Sequence, residues 1–285
     1  MSKHKHTSRK KKVIRNVVCT VFSFLMMVCL MILFAFFALQ FGLFNRDTTL
    51  SQINASGYYT NVYEELTSNL HTIAAYKDLP EDIFDEVITE KRVYINGKQY
   101  IENSLKNKDT KLSLTDIEKE LKQTLENYYQ EQGLSLDDTV TNDVKSTVSA
   151  VSSEYSRMTR FQFVNYVRQY KQALNAVFRW LVPVAAVLAL LLMVLLLTVV
   201  KYRHRGIRFI AISFFAAGGS FLILPLCALL GRWYEKALVK PEYYSQFLND
   251  YIASGLSSFL YVGIFGMIVG VGLLFLVRMV KNRLK

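Results

Sequence analysis

The side chains with which this chain could do chemistry are few, and their spacing decides how much chemistry to expect. Of the four histidines, His4, His6, His71 and His204, none belongs to an HExxH pair or another spacing that closes on zinc. His71 follows Thr67 by four residues, so on a helix the imidazole could take the hydroxyl proton and make Thr67 a nucleophile. The same spacing also suits two residues of a solvated helix face, and that is the reading adopted. If Met1 is removed ahead of the small Ser2, the new end reads Ser2-Lys3-His4, in which an amine and a third-position imidazole can wrap Cu(II) or Ni(II) in a nitrogen plane. A disordered basic tail yields that tripeptide readily, so no metal site is assigned. The acidic runs EDIFDE and LDDTVTND lack the ligand spacing and the glycine of an EF-hand, and read as helix starts. No G-x-S-x-G, Walker or G-x-G-x-x-G run is present. The sequence therefore predicts no catalytic, cofactor-binding or metal-binding residue and a protein that is not an enzyme.

What remains must be positioned by four stretches that contain no Asp, Glu, Lys or Arg: 16–45, 180–200, 209–231 and 251–277, of 30, 21, 23 and 27 residues. Each is long enough to span hydrocarbon as a helix, the form that satisfies its own backbone there. The fold class expected is an all-α membrane protein with four transmembrane helices and a mainly helical extracytoplasmic domain between the first and second. The first stretch follows a basic leader, as a cleaved signal would, but its apolar part is about twice the usual signal length and no A-x-A site follows. It reads as a signal anchor. Within the spans, Gly218 and Gly219 on the third and Gly263, Gly266 and Gly270 on the fourth are candidate helix-packing residues, because small side chains let backbones approach. They suit packing of the third span on the fourth, or a partner helix, including a second copy of the chain. Pro183 and Pro225 are candidate kinks, and Trp180 and Trp233 are candidate interfacial anchors.

The charges give the orientation. Segments 1–15, 201–208 and 278–285 hold seven, four and four basic residues and no acid, whereas all 23 acids fall in 46–179 and 232–250. Lys and Arg accumulate on cytoplasmic loops, so both termini and the 201–208 loop are expected inside, with 46–179 as the extracytoplasmic domain and 232–250 as an aromatic-rich outer loop. The net charge of +11 then reports orientation. Its expected partner is anionic inner-leaflet lipid, at about 1 kcal/mol per basic residue near the surface. Nucleic acid is not expected, since the tail carries no base-reading fold or aromatic platform. Cys19, Cys29 and Cys227 all lie in spans, and an outer domain of this size without cysteine leans toward a bacterial plasma membrane. The N-x-S tripeptide at Asn54 does not reverse that.

Between the first two spans the pattern is helical. Tyr59, Val62, Leu66, Leu70 and Ile73 form one stripe, and LPEDIFDEVI reads as a helix opened by Pro80. Capping boxes are expected at Thr115 with Glu118 and at Ser135 with Asp138, separated by a helix stop at Gly133. They open faces of Ile117, Leu121, Leu125 and Tyr128, and of Val140, Val144, Val148 and Val151. The stretch VYINGKQYI carries a hairpin signal at Asn96-Gly97, yet reads as helix because its neighbours are helical. Phe163, Val167, Tyr170, Leu174, Val177 and Leu181 continue a stripe into the second span, predicting one helix over about 161–200.

The layout of one span, a large domain and three spans resembles that of FtsX-like and MacB-like permeases, which work with a separate ATPase. Their docking element between the second and third spans has no counterpart in the eight residues KYRHRGIR. It is also similar to claudin-type tetraspans, whose outer Trp and paired Cys are missing here. The function expected is a non-catalytic accessory, scaffold or sensor subunit that binds another membrane or envelope protein through its helical domain. The alternative is a channel or transporter subunit.

Overall fold

A computed structural model of the protein describes residues 2–106, 108, 112–200, 203–236 and 241–283; for 2–12, 203, 236, 242 and 280–283 the backbone alone is described. Every regular element among them is helical: α1 (Ser2–Phe41), α2 (Arg46–Ala55), α3 (Tyr58–Tyr76), α4 (Glu90–Leu105), α5 (Thr115–Glu131), α6 (Asp138–Thr159), α7 (Phe163–Val199), α8 (Arg203–Gly231), a 3-10 turn (Trp233–Lys236) and α9 (Glu242–Arg283). Four stretches are long and apolar enough to cross a membrane, Val13–Phe41, Phe163–Val199, His204–Gly231 and Tyr243–Met279. The chain is thus a multi-pass helical membrane protein by length and composition. The helices overrun the expected span limits. α1 already begins at Ser2, where a disordered tail was expected, and α7 and α9 hold 37 and 42 residues, about 55 and 63 Å at 1.5 Å per residue.

Two compact units can be distinguished. The membrane unit holds the described residues of 2–49, 172–236 and 248–283; the other, here the helical unit, holds those of 50–171 and 241–247. In the membrane unit, α1 lies along α8. Its buried side is the stripe Cys19, Ser23, Met26, Leu30, Phe34 and Ala38. Ser23 and Ser213 join the two helices, with their hydroxyls 2.8 Å apart and Ser213 Oγ donating to the Ser23 carbonyl at 2.8 Å. The expected 201–208 loop is shorter than drawn: α8 starts at Arg203, while Lys201 and Tyr202 lie outside the described residues. A Cβ on Gly206 would lie 2.6 Å from the Leu196 carbonyl oxygen, so the glycine lets the α7–α8 connection close tightly.

In the helical unit, α6 packs against α3, α4 and α5, and α3 packs on α4. The stripe read on α3 is buried at Tyr59, Val62, Leu66 and Leu70, with Tyr58 and Ala74 added. VYINGKQYI is part of α4, and its Gly97 is explained by packing: a Cβ there would run into the ring of the buried Tyr59. Three local expectations are corrected. LPEDIFDEVI is a succession of turns closed by bonds such as Ile83 N–H to Pro80 O (3.2 Å) and Asp85 N–H to Asp82 O (3.0 Å). Ten residues gain little from an isolated helix, and the turns bury Leu79, Phe84, Val87 and Ile88 together. Thr115 is the first helical residue of α5 and makes no cap; Leu114 occupies that position. The cap of α6 is Asp137, whose carboxylate accepts from Val140 N–H at 2.9 Å, and Thr89 caps α4 in the same way from Arg92 N–H at 3.3 Å. Gly133 stands between α5 and α6 at φ +75°, a conformation glycine adopts without strain.

Part of the aromatic-rich 232–250 segment, residues 241–247, belongs to the helical unit. Tyr243 and Phe247 stack edge-on against Tyr58 at 5.5 and 6.0 Å, Phe161 meets Phe247 at 4.9 Å, and Tyr243 donates to Glu65 at 2.6 Å. They complete the core of the helical unit.

Candidate functional site

One face of α6 carries a polar stripe, Lys145, Ser149, Ser152, Ser153 and Ser156, spaced 4, 3, 1 and 3 residues apart, and Arg160 follows at the helix's C-terminal cap. At that spacing the side chains share one side of a helix, and Val144, Val151 and Tyr155 bury the other. With Leu114, Glu118, Val148, Arg157, Arg160 and Gln162 the stripe lines a groove of about 740 Å³. A second cavity of about 490 Å³ shares Glu118, Lys145 and Val148 and adds Lys119 and Lys122. Among the described residues between 45 and 179, five of fifteen basic residues line these cavities, against one of nineteen acids. Two of the five are neutralised: Arg157 makes two bonds to Glu154 (2.8 and 2.5 Å), and Lys122 lies 3.6 Å from Glu126. The Arg157 guanidinium holds the Glu154 carboxyl below the usual carboxylate range.

Ser152 sits at the floor. The residue is 3% exposed, and its hydroxyl has no hydrogen-bond partner among the described residues. A buried hydroxyl without a partner costs roughly 1–3 kcal/mol. The stripe is held in place by a clasp on the other side of α6. Lys77, just past α3, donates to Asp143 Oδ1 at 2.7 Å and to Ser146 at 2.9 Å, while Tyr129 of α5 donates to Asp143 Oδ2 at 2.7 Å. Lys77 draws the Asp143 carboxyl below its usual range, and burial with the bonded carboxylate pushes Tyr129 up to about 12.

The residues singled out in the sequence lie elsewhere. Gly218 is at a close crossing of α8 and α9, where an added Cβ would lie 2.8 Å from both Gly263 O and Met267 N. Gly263 meets Phe221 and Gly218 backbone, Gly266 meets the Phe34 ring, and Gly270 meets Phe215. Gly219, on the neighbouring position, faces open space. Trp180 and Trp233 are 76% and 65% exposed, and Pro183 and Pro225 lie inside α7 and α8 without ending them. His71 faces Asp85, with Nε2 to Oδ1 at 3.5 Å. His4 and His6 have no described side chains. Among the described residues no group of three His, Cys, Asp or Glu side chains could hold a metal ion. An apolar crevice of about 390 Å³ beside Met31, Phe221, Pro225 and Phe259 in the membrane unit offers only dispersion contact.

The sequence reading missed the α6 stripe. Its signal was present in the serine spacing of 3, 1 and 3 flanked by cations, but a polar helix face reads first as a solvated one. Comparison with known protein families, curated proteins and solved structures gives no match for this chain.

Proposed function

We propose that the protein is a non-catalytic, multi-pass subunit of a bacterial cell envelope, with both termini cytoplasmic and a helical extracytoplasmic domain that binds or senses a ligand or partner. The observation that carries the binding role is the groove on α6, which offers serine hydroxyl donors and, in Lys145 and Arg160, cations with no acidic partner among the described residues. The segregation of fifteen basic residues from all 23 acids supports the orientation. The continuous helix α7, which holds Val164 and Val167 at one end and the charge-free 180–200 stretch at the other, supports a relay between domain and spans. α1 then serves as the signal anchor, the basic tails rest on anionic inner-leaflet lipid, and another membrane or envelope protein is the expected partner.

The test is reconstitution of the purified full-length protein into liposomes. A binding subunit leaves gradients of Na⁺, K⁺ and H⁺ intact and hydrolyses nothing alone. Sustained flux through the protein by itself would replace this reading with the channel or transporter one.

A further inference from the structure

Lys and Arg are donors only, and the serine hydroxyls can donate, so the natural occupant of the α6 groove is a group that only accepts and carries negative charge. Among the described residues Lys145 and Arg160 have no acidic partner within ion-pair distance, unlike Lys122 and Arg157 beside them. They stand at the two ends of the serine stripe, fifteen residues and so about 22 Å apart along the α6 axis and its C-terminal end. Between them, Ser152 presents a buried hydroxyl with no partner among the described residues. The cavity of about 740 Å³ is larger than one inorganic anion needs and falls in the usual range for small-molecule sites. Among the described residues Glu118 is the only acid in the lining and would repel an anion at its own position, so the anionic group belongs on the serine side.

We propose that this groove binds a phosphate-bearing ligand, with phosphate oxygens accepting from Ser152 and Ser156 and with Lys145 or Arg160 supplying charge-assisted hydrogen bonds. A tetrahedral phosphate has acceptors enough for a hydroxyl floor and a cationic rim at once. The proposal rests on the binding role given to the helical domain and names its ligand class. A soluble phosphate ester and a phospholipid headgroup share this chemistry.

The experiment titrates purified full-length protein, in neutral detergent at physiological salt, with inorganic pyrophosphate and separately with a short-chain phosphatidylglycerol below its micelle concentration. Saturable binding of either probe is expected, pyrophosphate alone pointing to a soluble ligand and the lipid alone to a headgroup. The exposed pair Lys145→Gln and Arg160→Gln should weaken that binding at least tenfold, and Lys98→Gln, outside the groove, should leave it unchanged. Ser152→Ala should weaken binding several-fold and yet raise the melting temperature of the ligand-free protein, because it removes a buried hydroxyl without a partner. Absence of saturable binding by both probes, or equal binding by the double variant, would overturn the proposal. Sidedness plays no part in a detergent titration, so this failure is separable from failure of the topology measured by labelling in cells.

Discussion

In the helical unit the largest fully buried side chains include Tyr155, Phe84, Phe161, Leu66, Leu121 and Leu125, whereas the buried stripes of the membrane unit mix large residues such as Met26, Phe34 and Leu196 with the small Cys19, Ser23, Ala38, Ala185, Ala189 and Ala217. Many large residues of α7 point away from the chain, with Val184, Leu190 and Val194 each about 60% exposed, although Leu192 and Leu196 are buried. The difference follows from the solvent. Water drives the big apolar side chains of the helical unit inward, but hydrocarbon is as apolar as leucine and exerts no such drive. Small residues can therefore take packed positions of a span beside large ones, and α8 and α9 approach closely at glycine.

Substitutions that change size should separate the two units in opposite directions. Shrinking a core residue should hurt the helical unit most: Leu121→Ala, at a position with no exposed surface, is expected to cost about 2–5 kcal/mol. Leu190→Ala, facing outward on α7, should leave thermal stability in detergent nearly unchanged. Enlarging a residue should hurt the membrane unit: Gly218→Val drives a branched side chain into Gly263 and Met267 backbone and is expected to cost about 3 kcal/mol, against almost nothing for Gly219→Ala beyond its small propensity effect. If Gly218 and Gly219 variants melt alike, the close crossing of α8 and α9 is wrong.

Polar effects should be smaller in both units. Ser213→Ala removes the hydroxyl pair with Ser23 and is expected to cost about 1 kcal/mol, within the range found for hydrogen bonds between spans. Asp143→Asn weakens the Lys77 and Tyr129 clasp by a similar or lesser amount at neutral pH. Its signature is the pH dependence. The folded carboxyl titrates below its unfolded range, so its contribution is present above about pH 4 and is lost as pH falls through the lower folded value. Chemical unfolding of the wild type should therefore show a steeper acid loss than that of Asp143→Asn, and parallel curves would remove Asp143 from the account.

This contrast also explains which features could be read in the sequence. The α3 stripe was legible because one face of that helix meets water and the other does not, so periodicity and burial coincide. The stripe extended along α7 was not: Tyr170, Val177 and Leu181 are exposed and only Val167 of that set is buried, while the packed positions Ala185 and Ala189 carry little hydrophobic signal. The packing of Tyr243 and Phe247 on Tyr58 joins residues more than 180 positions apart, which no local pattern encodes. The cap of α6 lies two residues beyond Ser135 because the Asp137 carboxylate takes the Val140 N–H, and α5 starts one residue early, with Leu114 at the cap position and no side-chain cap. Within the groove the serine spacing was visible, but the isolation of the Ser152 hydroxyl depends on neighbouring helices.

The central claim is that residues 46–179 stand outside the membrane while both ends stay inside. Labelling of intact cells with a membrane-impermeant maleimide tests it most directly, using full-length protein carrying Cys227→Ala and either Ser135→Cys, in the connection between α5 and α6, or Ser8→Cys, in the basic tail. The account predicts labelling of Ser135→Cys in intact cells and of Ser8→Cys only after permeabilisation. The reverse pattern would contradict it.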